Sequence, residues 1–322
     1  MSAQVSVTAA ARLHLGFLDM NGGLGRKFGG IGLALDSPAT IVSLKSASSN
    51  SVAGLEAERA CPLLSVTQQI LAPSRHFQLT VHQAIPAHSG LGSGTQLALA
   101  IAAALRKLEN LPLNAAADAA MLSRGARSGL GAGLFEQGGF VVDGGRGPST
   151  LTPPVISHTP FPQEWRAILV HDPSAIGLHG TDEKAAFAAL PPLSESASGE
   201  ICRLVLMQLI PALAEKEFAP FGEALTRIQE IVGDYFSPAQ KNSRYTSKSV
   251  ERLIMRMGEL GAAGLGQTSW GPTGFAFTES EISARIIQEK ITKEAHSLGA
   301  TITLHHGLNT GAKIDQLYAQ IA

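Results

Sequence analysis

Pro86-Ala87-His88-Ser89-Gly90-Leu91-Gly92-Ser93-Gly94-Thr95 is the stretch on which the fold turns. Ahead of it, Phe77, Leu79 and Val81 alternate with Gln78, Thr80 and His82, the period of a half-buried strand that Pro86 brings to an end. Behind it, residues 96–108 are rich in Ala and Leu and close on Arg106 and Lys107, cations that suit the last turn of a helix. Glycines between a strand and a helix let backbone N–H groups approach a ligand, and the helix N-terminus adds partial positive charge, so the loop suits a phosphate. The competing reading is an ordinary strand-to-helix turn. No Gly-Lys-Ser/Thr follows, which excludes a Walker loop. No early strand leads into it at the chain start with an acid about 20 residues on, which excludes a dinucleotide fingerprint.

Working outward, Val5 and Val7, residues 31–35 and residues 41–44 read as short early strands. Asn114 can cap a helix reaching about residue 124. Gly-rich loops recur at 127–133 and 138–147, on either side of the strand Phe140-Val141-Val142. Five prolines in 148–162 mark a boundary, giving an N-terminal lobe over 1–155 and a C-terminal lobe over 156–322. Beyond it come a strand at 166–170, helices at 200–213, 221–232 and 249–260, a third Gly-rich loop at 261–274, a strand at Phe275, a helix at 281–298 and a strand at 301–304. Strands and helices do not alternate regularly and no repeat is visible, so the expectation is an α+β fold in two lobes.

Lys+Arg 25 against Asp+Glu 26 leaves a net charge of −1, so no global basic field recruits nucleic acid or an anionic membrane. Aromatic residues are 5% and scattered, which argues against a stacking platform for single strands. Cys61 and Cys202 are too few for a disulfide framework or a cysteine zinc site. No apolar segment precedes Arg12, and the best apolar run, 97–105, falls well short of the roughly 20 residues needed to span a bilayer. A soluble cytoplasmic protein with small-molecule partners is expected. Its subunit number is left open, a homodimer included.

Residues 86–95 resemble the phosphate loop of the GHMP small-molecule kinase superfamily, Pro-x-x-x-Gly-Leu-Gly-Ser-Ser. Residues 266–275, Gly-Gln-Thr-Ser-Trp-Gly-Pro-Thr-Gly-Phe, resemble its C-terminal Gly-rich motif, and Arg127-Ser128-Gly129-Leu130-Gly131 stands where those kinases carry Ser-Gly-Ile/Val-Asp. The resemblance implies a two-lobed GHMP-kinase-like fold. It also exposes departures. The kinase Asp is Gly131, the second loop Ser is Gly94, and the preceding helix lacks the magnesium-binding Glu. Phosphoryl transfer relies on positioning and a charge-neutralising metal, so an ATP-dependent small-molecule kinase becomes the second reading.

A narrower family accommodates these departures. Residues 12–19, Arg-Leu-His-Leu-Gly-Phe-Leu-Asp, residues 21–32 and residues 177–183, Gly-Leu-His-Gly-Thr-Asp-Glu, resemble the β-ribofuranosylaminobenzene 5'-phosphate synthases, as do residues 138–145 and 266–272. The resemblance implies a pentosyltransferase that condenses phosphoribosyl pyrophosphate with 4-aminobenzoate or 4-hydroxybenzoate, releasing CO2 and pyrophosphate, on the way to tetrahydromethanopterin-type C1 carriers. Expected catalytic groups are His14, Asp19, Arg26, His179 and Glu183, with Asp19 also the candidate ligand for Mg2+. Expected substrate contacts are Arg12, Lys27, the loop residues Ser89, Gly90, Leu91, Gly92, Ser93, Gly94 and Thr95, then Arg127, Ser128, Gln267, Ser269 and Trp270. Arg12, Arg26 and Lys27 form a cationic cluster beside a Gly-rich stretch, against the alternative that they are solvated surface charges. His14, between Leu13 and Leu15, could equally be a satisfied core histidine, and Asp19 a turn residue beside Asn21-Gly22.

Overall fold

The structure, a computed structural model, describes residues 3–175, 177 and 180–318, with the backbone alone for 180–184 and 318. The chain opens with two long strands, β1 (Ala3–Asp19) and β2 (Phe28–Ala47), paired antiparallel from Gln4↔Lys45 to Asp19↔Phe28. The segments expected as two strands at 31–35 and 41–44 are therefore halves of one. Opposite β1 the register jumps from Ala39 to Ala34, so the residues around Pro38 bulge out of the ladder without ending the strand. A short strand β3 (Ser51–Gly54), helix α1 (Ala57–Leu71) and strand β4 (His76–Gln83) follow, then the phosphate loop and α2 (Ser93–Leu108). Every side chain of α2 from Gln96 to Leu105 is buried, which explains its Ala/Leu composition: it packs between α1 and the face of the first sheet.

Next come α3 (Ala115–Met121), α4 (Leu130–Gln137), β5 (Phe140–Asp143), β6 (Val155–Thr159) and β7 (Arg166–His171). Asn114 does cap α3, accepting from the Ala117 N–H at 2.9 Å, but that helix stops at Met121, before Arg124. The C-terminal half continues with α5 (Gly180–Ala189), α6 (Glu195–Leu204), one π turn over Val205–Leu209, α7 (Ile210–Glu215), α8 (Phe218–Phe236), α9 (Lys248–Glu259), β8 (Ala263–Gln267), β9 (Thr273–Thr278), α10 (Glu281–Ser297), β10 (Thr301–His305) and β11 (Lys313–Tyr318).

Two sheets result. The first has seven strands with the path β11-β1-β2-β4-β3, and off this path β5 pairs with β2 and β6 with β5. The second has four, in the order β10-β7-β9-β8. Residue 156, the expected start of the second lobe, lies inside β6, which pairs with β5 in the first sheet, and β11 returns to pair with β1. The largest core joins the lobes, setting Leu13, Leu15 and Phe17 of β1 against Phe221 and Ile228 of α8 and Phe275 and Phe277 of β9. Among the described residues the longest apolar helical stretch is Glu195–Glu215 and not 97–105. It is long and apolar enough to cross a membrane, yet it packs Ile201, Val205, Leu209 and Leu213 into that core.

Candidate active site

Three chain segments are tied together at Thr268. Its Oγ1 accepts from the His14 N–H at 2.9 Å and donates to the Gly90 carbonyl at 3.1 Å, so β1, the phosphate loop and the third Gly-rich loop share one side chain. The Arg12 N–H donates to the Leu91 carbonyl at 3.0 Å. Gly92 caps α2 with φ +82°, and a Cβ there would lie 2.7 Å from Arg12 Cγ, so both conformation and space demand glycine. The cap supplies no side-chain acceptor, leaving first-turn N–H groups of α2 for a ligand.

Beside this knot lies a cavity of about 650 Å³. Four arginines line it, Arg12, Arg124, Arg127 and Arg146, and no Asp or Glu does among the described residues. One wall carries His14, Phe17 and Trp270. The ladder between β1 and β2 shifts register on either side of the Arg12–His14 segment that reaches this cavity: β2 bulges opposite Ala10 and Arg12, and β1 bulges between His14 and Gly16.

His14 is almost fully buried, 4.5 Å from the Phe17 ring, and its Nε2 has no hydrogen-bond partner. Burial, reinforced by the charges of Arg12 and Arg127, pushes its pKa down to about 3, so the ring is neutral at physiological pH. Trp270 packs against Phe236 at 4.6 Å and Phe187 at 5.4 Å, and its indole N–H is likewise buried without a partner. Arg127 lies over the Phe187 ring at 4.7 Å.

The loops bearing the arginines are set by Asp143 at the end of β5. Its Oδ2 accepts from Ser128 Oγ (2.8 Å) and the Gly129 N–H (2.9 Å), and its Oδ1 from the Gly145 N–H (2.9 Å). Burial holds its pKa above the usual carboxylate range despite those donors.

Of the residues expected from sequence, Arg12, His14, Thr95, Arg127, Ser128, Ser269 and Trp270 meet on this cavity. Others stand elsewhere. Arg26 donates from Nε to the Gly144 carbonyl at 2.8 Å and from Nη2 to the Gly145 carbonyl at 2.6 Å. Lys27 bridges Arg146 through backbone bonds of 3.0 and 2.8 Å. Both therefore fasten the loop that carries Arg146 and do not line the cavity. Asp19 Oδ1 accepts from the Asn21 and Gly22 N–H groups and from Ser198 Oγ, the work of a turn residue. Ser89 is buried and donates to the Pro86 carbonyl, Leu91 belongs to the core, and Gln267 holds the third loop by donating to the Ser269 carbonyl. Gly94 lines a smaller neighbouring cavity, and Arg59 Nη2 reaches Ser93 Oγ at 3.5 Å. His179 and the Glu183 side chain lie outside the described residues; residue 183 itself falls in α5.

Among the described residues no three His, Cys, Asp or Glu side chains stand together as metal ligands, and Asp19 is engaged by three donors. All three donors meet Oδ1 of Asp19. Arg124 and Arg146 escaped the sequence reading. The signal for Arg146 was its place directly after Asp143-Gly144-Gly145, and for Arg124 its place between a helix end and Gly125.

Residues 58–141 match the family model of the GHMP kinases N terminal domain and residues 209–297 that of the GHMP kinases C terminal. Solved structures of similar fold include homoserine kinase from Cytophaga hutchinsonii (TM-score 0.69, 16% identity, 97% of both chains) and phosphomevalonate kinase from Streptococcus pneumoniae (TM-score 0.72, 12% identity, 95% of this chain and 99% of that one). Among curated proteins, the β-ribofuranosylphenol 5'-phosphate synthase of Methanothermobacter thermautotrophicus is 31% identical over 87% of this chain and 91% of its own. That of Archaeoglobus fulgidus is 31% identical over 95% and 97%. With the two lobes, the phosphate loop and the arginine-lined cavity in place, the chain belongs to the β-ribofuranosylphenol 5'-phosphate synthase family, enzymes built on the GHMP kinase fold.

Proposed function

We propose that the chain catalyses decarboxylating phosphoribosyl transfer, joining phosphoribosyl pyrophosphate to a para-substituted benzoate and releasing CO2 and pyrophosphate, in the assembly of a tetrahydromethanopterin-type cofactor. The observation that carries this reading is a cavity with four arginines, no carboxylate among its described lining residues, and an aromatic wall. It matches a ligand pair that brings two phosphate-bearing ends, a carboxylate and a benzene ring. The relatives' name specifies a phenol product, which favours 4-hydroxybenzoate over 4-aminobenzoate.

In this reaction the anomeric C–O bond breaks and pyrophosphate leaves with the electron pair. The ring carbon bearing the carboxylate attacks the oxocarbenium-like centre to form a C–C bond, and loss of CO2 returns its electrons to the ring. No protein nucleophile is needed. The chain's part is to position the two substrates, to stabilise growing negative charge on the leaving group with preorganised guanidiniums and α2 N–H groups, and to exclude water. His14, neutral and buried beside Phe17, serves this reading as a polar contact within the aromatic wall and not as a cation. Magnesium, where it takes part, arrives as the counter-ion of the pyrophosphate substrate.

The kinase reading loses support from the same geometry. A Cβ at Gly131 would lie 2.5 Å from Thr95 Cγ2, so the place of the kinase aspartate is already filled. Incubation with phosphoribosyl pyrophosphate, Mg2+ and carboxyl-labelled 4-hydroxybenzoate tests the proposal. Labelled CO2 released in step with pyrophosphate is the expected result, and its absence alongside ATP-dependent phosphorylation of an alcohol would restore the kinase.

A further inference from the structure

Gly94, second residue of α2, has a crowded neighbourhood. A Cβ there would meet Arg59 Nη2 at 3.3 Å and Arg124 Nη1 at 3.5 Å, so two guanidiniums occupy the space that a side chain at 94 would use. Arg59 comes from α1 and Arg124 from the segment after α3, so the pairing is tertiary. Arg124 stands between two cavities: it lines the arginine-rich one with Arg12 and Arg127, and a second of about 470 Å³ with Arg59, Gly94 and one carboxylate, Glu58. Among the described residues no carboxylate pairs with Arg124, and its Nε is buried without a hydrogen-bond partner. Arg59 pairs with Glu56 at 2.6 Å. Burial and the Arg59 charge both weaken the hold of Arg124 on its proton. Two like charges converging on a helix N-terminus, itself positive, repel one another unless an anion lies between them.

We propose that Arg59 and Arg124 bind the pyrophosphate group at the N-terminus of α2, where their guanidiniums converge on Gly94. The assignment rests on the reading of the phosphate loop given above, and it adds two residues to that loop. Each guanidinium can present two N–H groups to phosphate oxygens, and charge on those oxygens grows as the anomeric bond breaks.

Inorganic pyrophosphate titrated calorimetrically into the full chain in EDTA is the direct probe. The expected result is binding that persists without divalent metal and weakens at least tenfold in Arg59→Gln and in Arg124→Gln, with Arg59→Lys between parent and Arg59→Gln. Arg59 is partly exposed on α1, so that variant keeps its fold even if Arg124→Gln does not, and circular dichroism checks both. Displacement of bound pyrophosphate by phosphoribosyl pyrophosphate, but not by ADP, ties the site to the ribosyl substrate. Binding that vanishes in EDTA and returns with Mg2+, affinity unchanged in both glutamine variants, or displacement by ADP alone would each overturn the assignment. CO2 release by the parent tests the reaction separately, so a failure of the site and a failure of the reaction are distinguishable.

Discussion

His14 illustrates how one residue can be legible in kind and not in state. Its place between two leucines leaves open a site group or a satisfied core histidine, and the structure sets it nearly fully buried on the cavity wall with Nε2 unpartnered. What the sequence could not supply was Arg127, distant in the chain, whose charge joins burial and Arg12 in holding the ring neutral. Because its folded pKa of about 3 lies below the unfolded value of 6.5, the unfolded chain binds the extra proton first as pH falls. His14 therefore costs no stability above pH 7, and below pH 6.5 it costs up to about 1.4 kcal/mol per pH unit until the folded pKa is reached. His14→Gln is expected to flatten that part of the pH–stability curve, read from urea midpoints between pH 4 and 7. A parent-like slope would remove His14 as its source. Gly92 gives a second prediction at this scale. Gly92→Ala places a Cβ against Arg12 in a left-handed backbone, whereas Ser93→Ala removes only a hydroxyl. Titration with phosphoribosyl pyrophosphate is expected to show a loss of tenfold or more for the first and a smaller one for the second; equal affinities for parent and Gly92→Ala would mean that the loop is not the cradle.

Elements were read well where periodicity was local and poorly where pairing was distant. The alternation of Phe77, Leu79 and Val81 and the Ala/Leu run of α2 report each segment's own burial, and both elements stand close to where the pattern put them. β2 was divided at Pro38 because a proline in a strand ordinarily ends it. The continuous partner β1 carries the ladder past the bulge, and nothing within residues 28–47 reveals that. Arg26 stands in a cationic cluster when its neighbours in sequence are read, whereas its fork meets carbonyls 118 and 119 residues away. Asp143 belongs at this scale too, since it joins the end of β5 to both arginine-bearing loops. Asp143→Ala would leave the Ser128, Gly129 and Gly145 donors without their acceptor, and at about 1–3 kcal/mol for each donor left buried and unmade a loss of at least ~2 kcal/mol is expected in urea unfolding. Pyrophosphate affinity should fall with it. Unchanged stability would show that the loops hold without the carboxylate.

The whole molecule is less divided than its proline-rich middle suggests. β6 and β11 both lie beyond residue 155 in full or in part, and both complete the first sheet, while the largest core is shared between lobes. β11 pairs with β1 from Ala3↔Tyr318 to Thr8↔Lys313. Removing residues 313–322 would leave that edge of β1 with unpaired N–H and C=O groups and uncover the apolar side of the sheet that Ile314 packs against. The truncated chain is expected to melt roughly 5 to 10 °C lower and to scatter light increasingly with concentration. A parent-like melting curve without aggregation would show the strand to be dispensable. The same pairing sets a clock on synthesis. The outer partner of β1 leaves the ribosome about 300 residues after β1 itself, so at the roughly 5 to 20 residues per second of translation that edge waits some 15 to 60 s for closure. The nascent chain therefore carries an open strand edge from the emergence of β1 until β11 follows it.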